Sequence, residues 1–204
     1  MHRRYAVVTM ALALCLFACA TQLTPTNYYV LGLPVAAPPP GEPVFPVSLA
    51  VASFEADSPL LRRNIVWREN NTIGFYTNER WAELPGRLFA HRLYRRAAGS
   101  GLFERVKLGA ISNNADFSIR GKILTFEETT TAEGKFGKVA ADVELLDQSG
   151  AVRWSGTLEK TEPVQGEGAQ ATVQAISRAA EATITSILSS VAQTLRQTEP
   201  GLTE

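Results

Sequence analysis

The chain has 204 residues, 45% of them hydrophobic, and its 20 basic residues balance 20 acidic residues. A chain of this size can bury the core of one domain. Its balanced charge argues against a nucleic-acid-binding protein, which carries an excess of lysine and arginine. With two cysteines and two histidines in the whole chain, few residues could form a disulfide framework or bind zinc.

The first 18 residues have the pattern of an export signal. Arg3 and Arg4 precede an apolar run from Tyr5 to Ala18, which is shorter than the ~20 residues that a transmembrane helix needs. We therefore predict that residues 1–18 are a cleaved signal peptide. The mature chain then leaves the cytoplasm with 18 basic residues against 20 acidic ones.

The cleavage region carries the first candidate site, Cys19. Leu16-Phe17-Ala18-Cys19 resembles the lipobox of bacterial lipoproteins, which implies that Cys19 becomes the lipidated N-terminus. Phe17 departs from the small or β-branched residue usual at its position. The alternative is ordinary signal-peptidase cleavage near Ala18 or Ala20, with Cys19 incidental. Because Cys15 leaves with the signal peptide, the mature chain contains no cysteine pair for a disulfide.

The membrane that receives the lipid is predicted from residue 20. Ala20 stands where the lipoprotein sorting rule associates Asp with inner-membrane retention. The expected location is therefore the periplasmic leaflet of the outer membrane.

The N-terminal half of the mature chain begins with a short polar tether, residues 19–26. Residues 27–198 are predicted to form one domain, followed by a tail at 199–204. Within the domain, 27–33 and 47–54 have β-strand composition. They flank a connection at 34–46, where six prolines favour an extended polyproline conformation.

Residues 64–77 predict a β-hairpin with its turn at Asn70-Asn71, because asparagine tolerates the positive φ of tight turns. The hairpin and its flanks combine arginines with aromatic residues, the types enriched at interface hot spots. Trp67 and Arg68 are adjacent in the strand and must point to opposite faces. The alternative is that the tryptophans cover a sheet face and the arginines are merely solvated. The candidate partner contacts are Arg62, Arg63, Trp67, Arg68, Tyr76, Arg80 and Trp81.

One amphipathic helix is predicted before a run of strands, and a second one after it. The first has Trp81, Leu88, Phe89 and Leu93 on its apolar side, with Pro85 in its first turn or at a late start, and ends at Gly99 or Gly101. The second covers about 169–196, and its apolar stripe is expected to be core. Four strands lie between them, at 102–108, 116–127, 137–147 and 151–160, with a turn at 147–150. These elements predict an α/β sandwich with a sheet of five or six strands.

No catalytic constellation is found. His91 is the one histidine left after processing, and it lies in a helical segment where a solvated role is expected. No Gly-x-Ser-x-Gly elbow is present to support a hydrolase. Gly166-Glu167-Gly168 lacks the preceding strand of a dinucleotide fingerprint and is interpreted as the loop before the last helix. No carboxylates are clustered at metal-ligand spacing, so we expect no enzyme activity, cofactor or metal.

The order of motifs resembles the ABC-type transport auxiliary lipoprotein family (PqiC-like). The resemblance rests on the lipobox, on Tyr28, Tyr29 and Leu31, and on the stretch from Leu61 to Arg68 with arginine at 63 and 68. Arg80-Trp81-Ala82 and Asn114-Ala115-Asp116-Phe117 complete it. It covers essentially the whole mature chain.

This resemblance implies a lipid-anchored periplasmic protein that works with an ABC transporter permease and ATPase and with an MCE-domain protein. Such a system carries lipids or other apolar molecules between the two membranes, and a homo-oligomer is compatible with this role. The implied fold is a three-layer sandwich similar to the N-terminal domain of TolB, with a mixed five-stranded sheet flanked by helices. The family supplies no catalytic residues.

The alternative function is a lipoprotein regulator of envelope or peptidoglycan synthesis, which can also carry a TolB-like domain. Those regulators typically need a long tether to reach through the cell wall. Here residues 20–26 extend over at most ~23 Å, which favours a partner near the membrane.

Overall fold

A single mixed sheet and two helices make up the described part of the chain, which in this computed structural model is residues 24–32, 41–109 and 115–198. Within these ranges the α-helices are α1 (Pro85–Ala98) and α2 (Gly168–Thr198), and Ser58–Leu60 form a short 3₁₀ helix. The strands are β1 (Asn27–Tyr29), β2 (Phe45–Val51), β3 (Glu55–Ala56), β4 (Asn64–Glu69), β5 (Thr72–Trp81), β6 (Phe103–Leu108), β7 (Phe117–Thr131), β8 (Gly134–Asp147) and β9 (Val152–Pro163). The predicted signal peptide, Cys19, residues 33–40 of the proline-rich region and the tail at 199–204 lie outside the described residues.

Strand β7 organises the sheet. Along one edge it pairs in parallel with β2, then β3, then β4, and along the other edge it pairs with β8 in antiparallel register. With 15 residues, β7 is long enough to pair with several neighbouring strands one after another. The α/β sandwich is therefore confirmed, but the described residues form nine strands rather than the predicted five or six.

The sheet curls because pairing in β7 and β8 is interrupted. The β7–β8 register shifts between Ile123 and Thr125, and the β8–β9 register shifts between Leu145 and Leu146. Such irregularities increase local twist. At the ends of the sheet path, β1 pairs with β5, and β6 pairs with β2.

Both helices share one hydrophobic core with the sheet. The predicted apolar stripe of α2 is buried, including Ile176, Ile184 and Val191, which confirms its assignment to the core. At Gly137 of β8 an added Cβ would lie 2.3 Å from the backbone nitrogen of Ile176, so α2 packs directly on the strand backbone. An ion pair between Arg92 and Glu181, 2.7 Å, joins α1 to α2.

Trp81 does not belong to the first helix. It is the last residue of β5, and α1 begins at Pro85. Proline lacks a backbone N–H and suits the first helical position, whereas the residue before it, Leu84, is extended at φ −63° and ψ 141°. The prediction of a late start at Pro85 and an end at Gly99 is confirmed, and Trp81 was placed in the wrong element.

The two predicted hairpin turns and the predicted loop before the last helix are confirmed. Asn70 has φ 51° in the β4–β5 turn, and Gly150 has φ 85° in the β8–β9 turn. Asp147 stabilises the second turn because its Oδ1 accepts hydrogen bonds from the backbone N–H groups of Ser149 and Ala151. Gly166 lies in the loop before α2, as interpreted, and Gly168 is the first residue of the helix.

No helix in residues 24–32, 41–109 and 115–198 combines the length and apolar character needed to cross a bilayer.

Candidate partner-binding surface

The β4–β5 hairpin carries or adjoins all of the predicted partner contacts. Its strands pair in antiparallel register, with Trp67 opposite Gly74 and Arg68 opposite Ile73. On its other side β4 pairs with the end of β7, where Trp67 lies opposite Glu128. The tip of the hairpin therefore sits at one end of the sheet, supported by β7 on one side.

Trp67 lies against the backbone of the neighbouring strand. The side chain is partly exposed, and a Cβ built at Gly74 would lie 2.1 Å from the indole ring. Only glycine leaves room for the ring at this position. A partly exposed indole that packs against a neighbouring strand is a good anchor for a partner, because packing leaves less conformational entropy to be lost on binding.

Arg68 is held on the opposite face by an ion pair. Its Nε donates a hydrogen bond to Glu127 Oε1 at 2.5 Å, and its Nη2 donates to Glu127 Oε2 at 3.2 Å. The bond to Glu127 raises the pKa of Arg68 above its ordinary value, although burial acts in the other direction. The Arg68 side chain is 41% exposed, whereas that of Glu127 is 4% exposed.

Because of this pairing, Arg68 is more than a solvated surface residue, and Arg68→Ala would not leave the fold intact. Removing the guanidinium would leave Glu127 buried without its partner, and a buried carboxylate that loses its partner destabilises a fold. A loss of binding in that variant would therefore be mixed with a loss of stability. Trp67 is the cleaner reporter of partner contact.

The Tyr76 side chain is hydrogen-bonded to buried residues and is not fully exposed. Its hydroxyl donates a hydrogen bond to Glu128 Oε2 at 2.8 Å, and Glu128 also accepts hydrogen bonds from Lys135 at 3.0 Å and from Thr172. Burial raises the pKa of Tyr76, and the Glu128 carboxylate adds to this effect. Burial also acts to raise the pKa of Glu128, but the hydrogen bonds from Thr172, Lys135 and Tyr76 outweigh it and bring that pKa below its usual range. This cluster fastens the start of α2 to the hairpin.

Trp81 is also internal, and Arg80 is internal in part. Trp81 is fully buried and packs edge to face on Phe126, with ring centroids 5.1 Å apart. It cannot contact a partner, so its place among the candidates is wrong: its residue type suggested an interface contact, but its side chain lies in the core. Arg80 is partly exposed, but its Nε is buried and has no hydrogen-bond partner among the described residues.

Arg62 and Arg63 lie on the surface at the base of the hairpin. The Arg62 guanidinium lies 4.4 Å from the ring centroid of Phe75, and that of Arg63 lies 5.7 Å from the ring centroid of Tyr28. Both contacts have cation–π geometry. The two arginines are therefore oriented by aromatic rings and remain accessible.

Sequence reasoning missed Glu127 and Glu128, which hold Arg68 and Tyr76 in place. Both carboxylates are buried, on opposite faces of β7. The available signal was two consecutive acidic residues directly after Ile123–Phe126, a mostly apolar stretch with one threonine. Their partners could not be identified from sequence, because Arg68 and Tyr76 are 59 and 52 positions away.

Several charged and polar side chains outside the hairpin pair with one another. A cleft of about 730 Å³ opens on the sheet surface at β7, β8 and β9. There Arg120 pairs with Glu144 at 2.6 Å, and Thr157 donates a hydrogen bond to Asp142 at 2.6 Å. His91 lies on α1, 3.7 Å from Glu83. No group of three or more potential metal ligands occurs in the described parts of the chain.

Comparison with known proteins places these features in a family. The sequence model described as "ABC-type transport auxiliary lipoprotein component" matches residues 29–188. No curated protein gives a significant match.

Two solved structures share the fold. A DUF330-family protein from Xanthomonas campestris is 19% identical, with a TM-score of 0.74, and the match covers 84% of this chain and 98% of that one. An uncharacterized protein is 12% identical, with a TM-score of 0.63 and coverage of 82% and 99%. At these identities the likeness shows the fold alone.

Proposed function

Because the chain belongs to the ABC-type transport auxiliary lipoprotein family, we propose that it is a lipid-anchored periplasmic component of an ABC/MCE transport system. In this role it helps lipids or other apolar molecules move between the inner and outer membranes. It acts through protein contacts and catalyses no reaction. The observation that carries the proposal is the family match over residues 29–188.

The anchor is the acylated Cys19 in the periplasmic leaflet of the outer membrane. The partners are an MCE-domain protein and, through it, the permease and ATPase of the transporter. A tether of a few residues keeps the domain close to the lipid surface, where a protein spanning the periplasm can reach it.

The partner surface is the distal part of the β4–β5 hairpin, with Trp67 as its central contact. This role of Trp67 is supported by three features: its side chain is aromatic, it is partly exposed, and it packs against Gly74. Arg68 contributes from the opposite face, where its exposed portion can meet acidic or carbonyl groups of the partner while Glu127 holds it in place.

We expect Trp67→Ala to weaken capture of the purified MCE-domain protein by roughly 30-fold, the effect of losing a hot spot of about 2 kcal/mol. The measurement is equilibrium binding by surface plasmon resonance. Gly74→Ala should produce a smaller loss, because its methyl group displaces the indole without removing it.

Trp154→Ala is the matched control. Trp154 is also partly exposed and lies against a glycine, Gly156, but it belongs to β9. Each variant must retain the wild-type circular dichroism spectrum. Equal affinities of Trp67→Ala and wild type would remove the hairpin from the interface, and equal losses in both tryptophan variants would indicate a general effect on folding.

A further inference from the structure

A second surface, at the base of the hairpin, combines exposed apolar side chains with unpaired positive charge. Tyr28 is 55% exposed, Val30 58% and Leu61 64%. Arg62 and Arg63, both exposed, follow Leu61 directly. We call these five residues the tether-end patch.

Contacts across the chain hold the patch together. The Arg63 guanidinium lies over the Tyr28 ring, and its Nη1 donates a hydrogen bond to the carbonyl of Ala82 at 3.2 Å. The N–H of Ala82 in turn donates to the carbonyl of Tyr29 at 2.7 Å. The loop that carries Leu61 and the end of β1 therefore form one surface.

The charge of the patch is not neutralised locally. No carboxylate in residues 24–32, 41–109 and 115–198 forms an ion pair with Arg62 or Arg63. The acidic residues near the patch have other contacts, because Glu79 accepts a hydrogen bond from Asn27 at 3.2 Å and Glu83 lies 3.8 Å from Arg87. Apolar side chains with two accessible guanidinium groups are complementary to a phospholipid surface, whose phosphates lie above its acyl chains.

The position of the patch fits the tether. Thr24 is the first described residue, and the five residue steps from Cys19 to Thr24 span at most ~17 Å. Strand β1, which carries Tyr28, follows three residues later. Two other exposed apolar residues lie toward the opposite end of the sheet path: Val44 directly precedes β2, and Leu108 is the last residue of β6. That end is five strand spacings away, or roughly 24 Å.

We propose that the tether-end patch docks on the phospholipid surface that holds the lipid of Cys19. Arg62 and Arg63 bind lipid phosphates, while Tyr28, Val30 and Leu61 enter the interfacial layer. Docking would also orient the domain. Strand β4 begins at Asn64, beside the patch, and Trp67 lies three residue steps or ~10 Å further along the strand. This inference rests on the proposed anchor at Cys19.

The experiment uses the lipidated full chain, reconstituted in phosphatidylglycerol-containing vesicles. Since the lipid occupies Cys19, Leu61→Cys supplies a single thiol for an environment-sensitive nitrobenzoxadiazole label. Val152→Cys is the matched control, because Val152 is also exposed, at 49%, and lies on β9. Spin-labelled phospholipid then reports whether each label is in contact with lipid.

We expect a blue-shifted, quenched label at position 61 and a water-exposed label at position 152. Adding Arg62→Glu and Arg63→Glu should lower the ratio of docked to undocked protein by roughly fivefold for each arginine removed. A label at position 61 as exposed as that at 152, or one shielded only when the MCE-domain protein is added, would show that the patch does not dock on lipid.

Vesicle flotation separates this outcome from a failure of the anchor. A chain that floats but keeps position 61 in water retains the anchor and refutes the docking. A chain that does not float, and whose Cys19 takes up the label, refutes the anchor and the docking that depends on it.

Discussion

Cys19→Ala should release the protein from the membrane fraction into the soluble periplasm. Acyl chains contribute about 0.8 kcal/mol for each buried CH₂ group, and two or more chains anchor a protein stably where one does not. The proposed lipid on Cys19 supplies such an anchor. The tether-end patch, with two arginines and three apolar side chains, cannot replace it through repeated washes. The effect should therefore approach complete redistribution.

The neighbouring cysteine provides the control. Cys15 lies inside the predicted signal peptide, so Cys15→Ala should leave the mature protein membrane-bound. Mass spectrometry of the wild-type N-terminal peptide should show the added acyl mass on Cys19. If Cys19→Ala remains fully in the washed membrane fraction, the anchor is elsewhere.

Trp81→Ala should lower the free energy of unfolding by about 3–5 kcal/mol, the usual effect of truncating a large buried aromatic side chain. Trp81 is fully buried and packs on Phe126 in the middle of the core. The cavity would open between β5 and β7, the strands that flank β4. Urea denaturation followed by circular dichroism measures the change.

Trp67→Ala is the comparison for this prediction. Its side chain is partly exposed, so truncation removes less buried surface and should reduce stability by about 1 kcal/mol. Trp81 is thus expected to act as a structural residue, and Trp67 as the proposed binding residue. A larger destabilisation by Trp67→Ala than by Trp81→Ala would reverse that division.

Local patterns were sufficient to predict most helices and strands. The apolar stripe of α2, the turn at Asn70 and the turn at Asp147 each follow from residues close together in the chain. The pairing of the strands does not: β1 lies in parallel beside the end of β5, with Tyr28 opposite Arg80. No short-range signal specifies a partner 52 residues away.

The candidate surface, too, was only partly predictable from the sequence. Strand alternation correctly separates Trp67 from Arg68, because that rule depends only on adjacent positions. It does not reveal that Glu127 holds Arg68, or that the helix begins only at Pro85, after Trp81. The contact between Arg63 and Tyr28 likewise depends on the order of strands in the sheet.

The proposed membrane contacts and the proposed partner contact follow one another in space along one part of the molecule. Under these proposals the lipid of Cys19 and the tether-end patch face the membrane, and the hairpin leads away from them toward Trp67. An accessory protein arranged in this way presents its partner contact at a fixed height above the lipid surface. The central claim is that this contact is an MCE-domain protein.

Photocrosslinking in cells tests that claim most directly. The photoreactive amino acid p-benzoylphenylalanine is introduced at position 67, and in a parallel strain at position 154. We expect irradiation to join position 67 to the MCE-domain protein, with no such product from position 154. A product from position 67 that contains a peptidoglycan synthase instead would contradict the transport function and support the regulator of envelope synthesis.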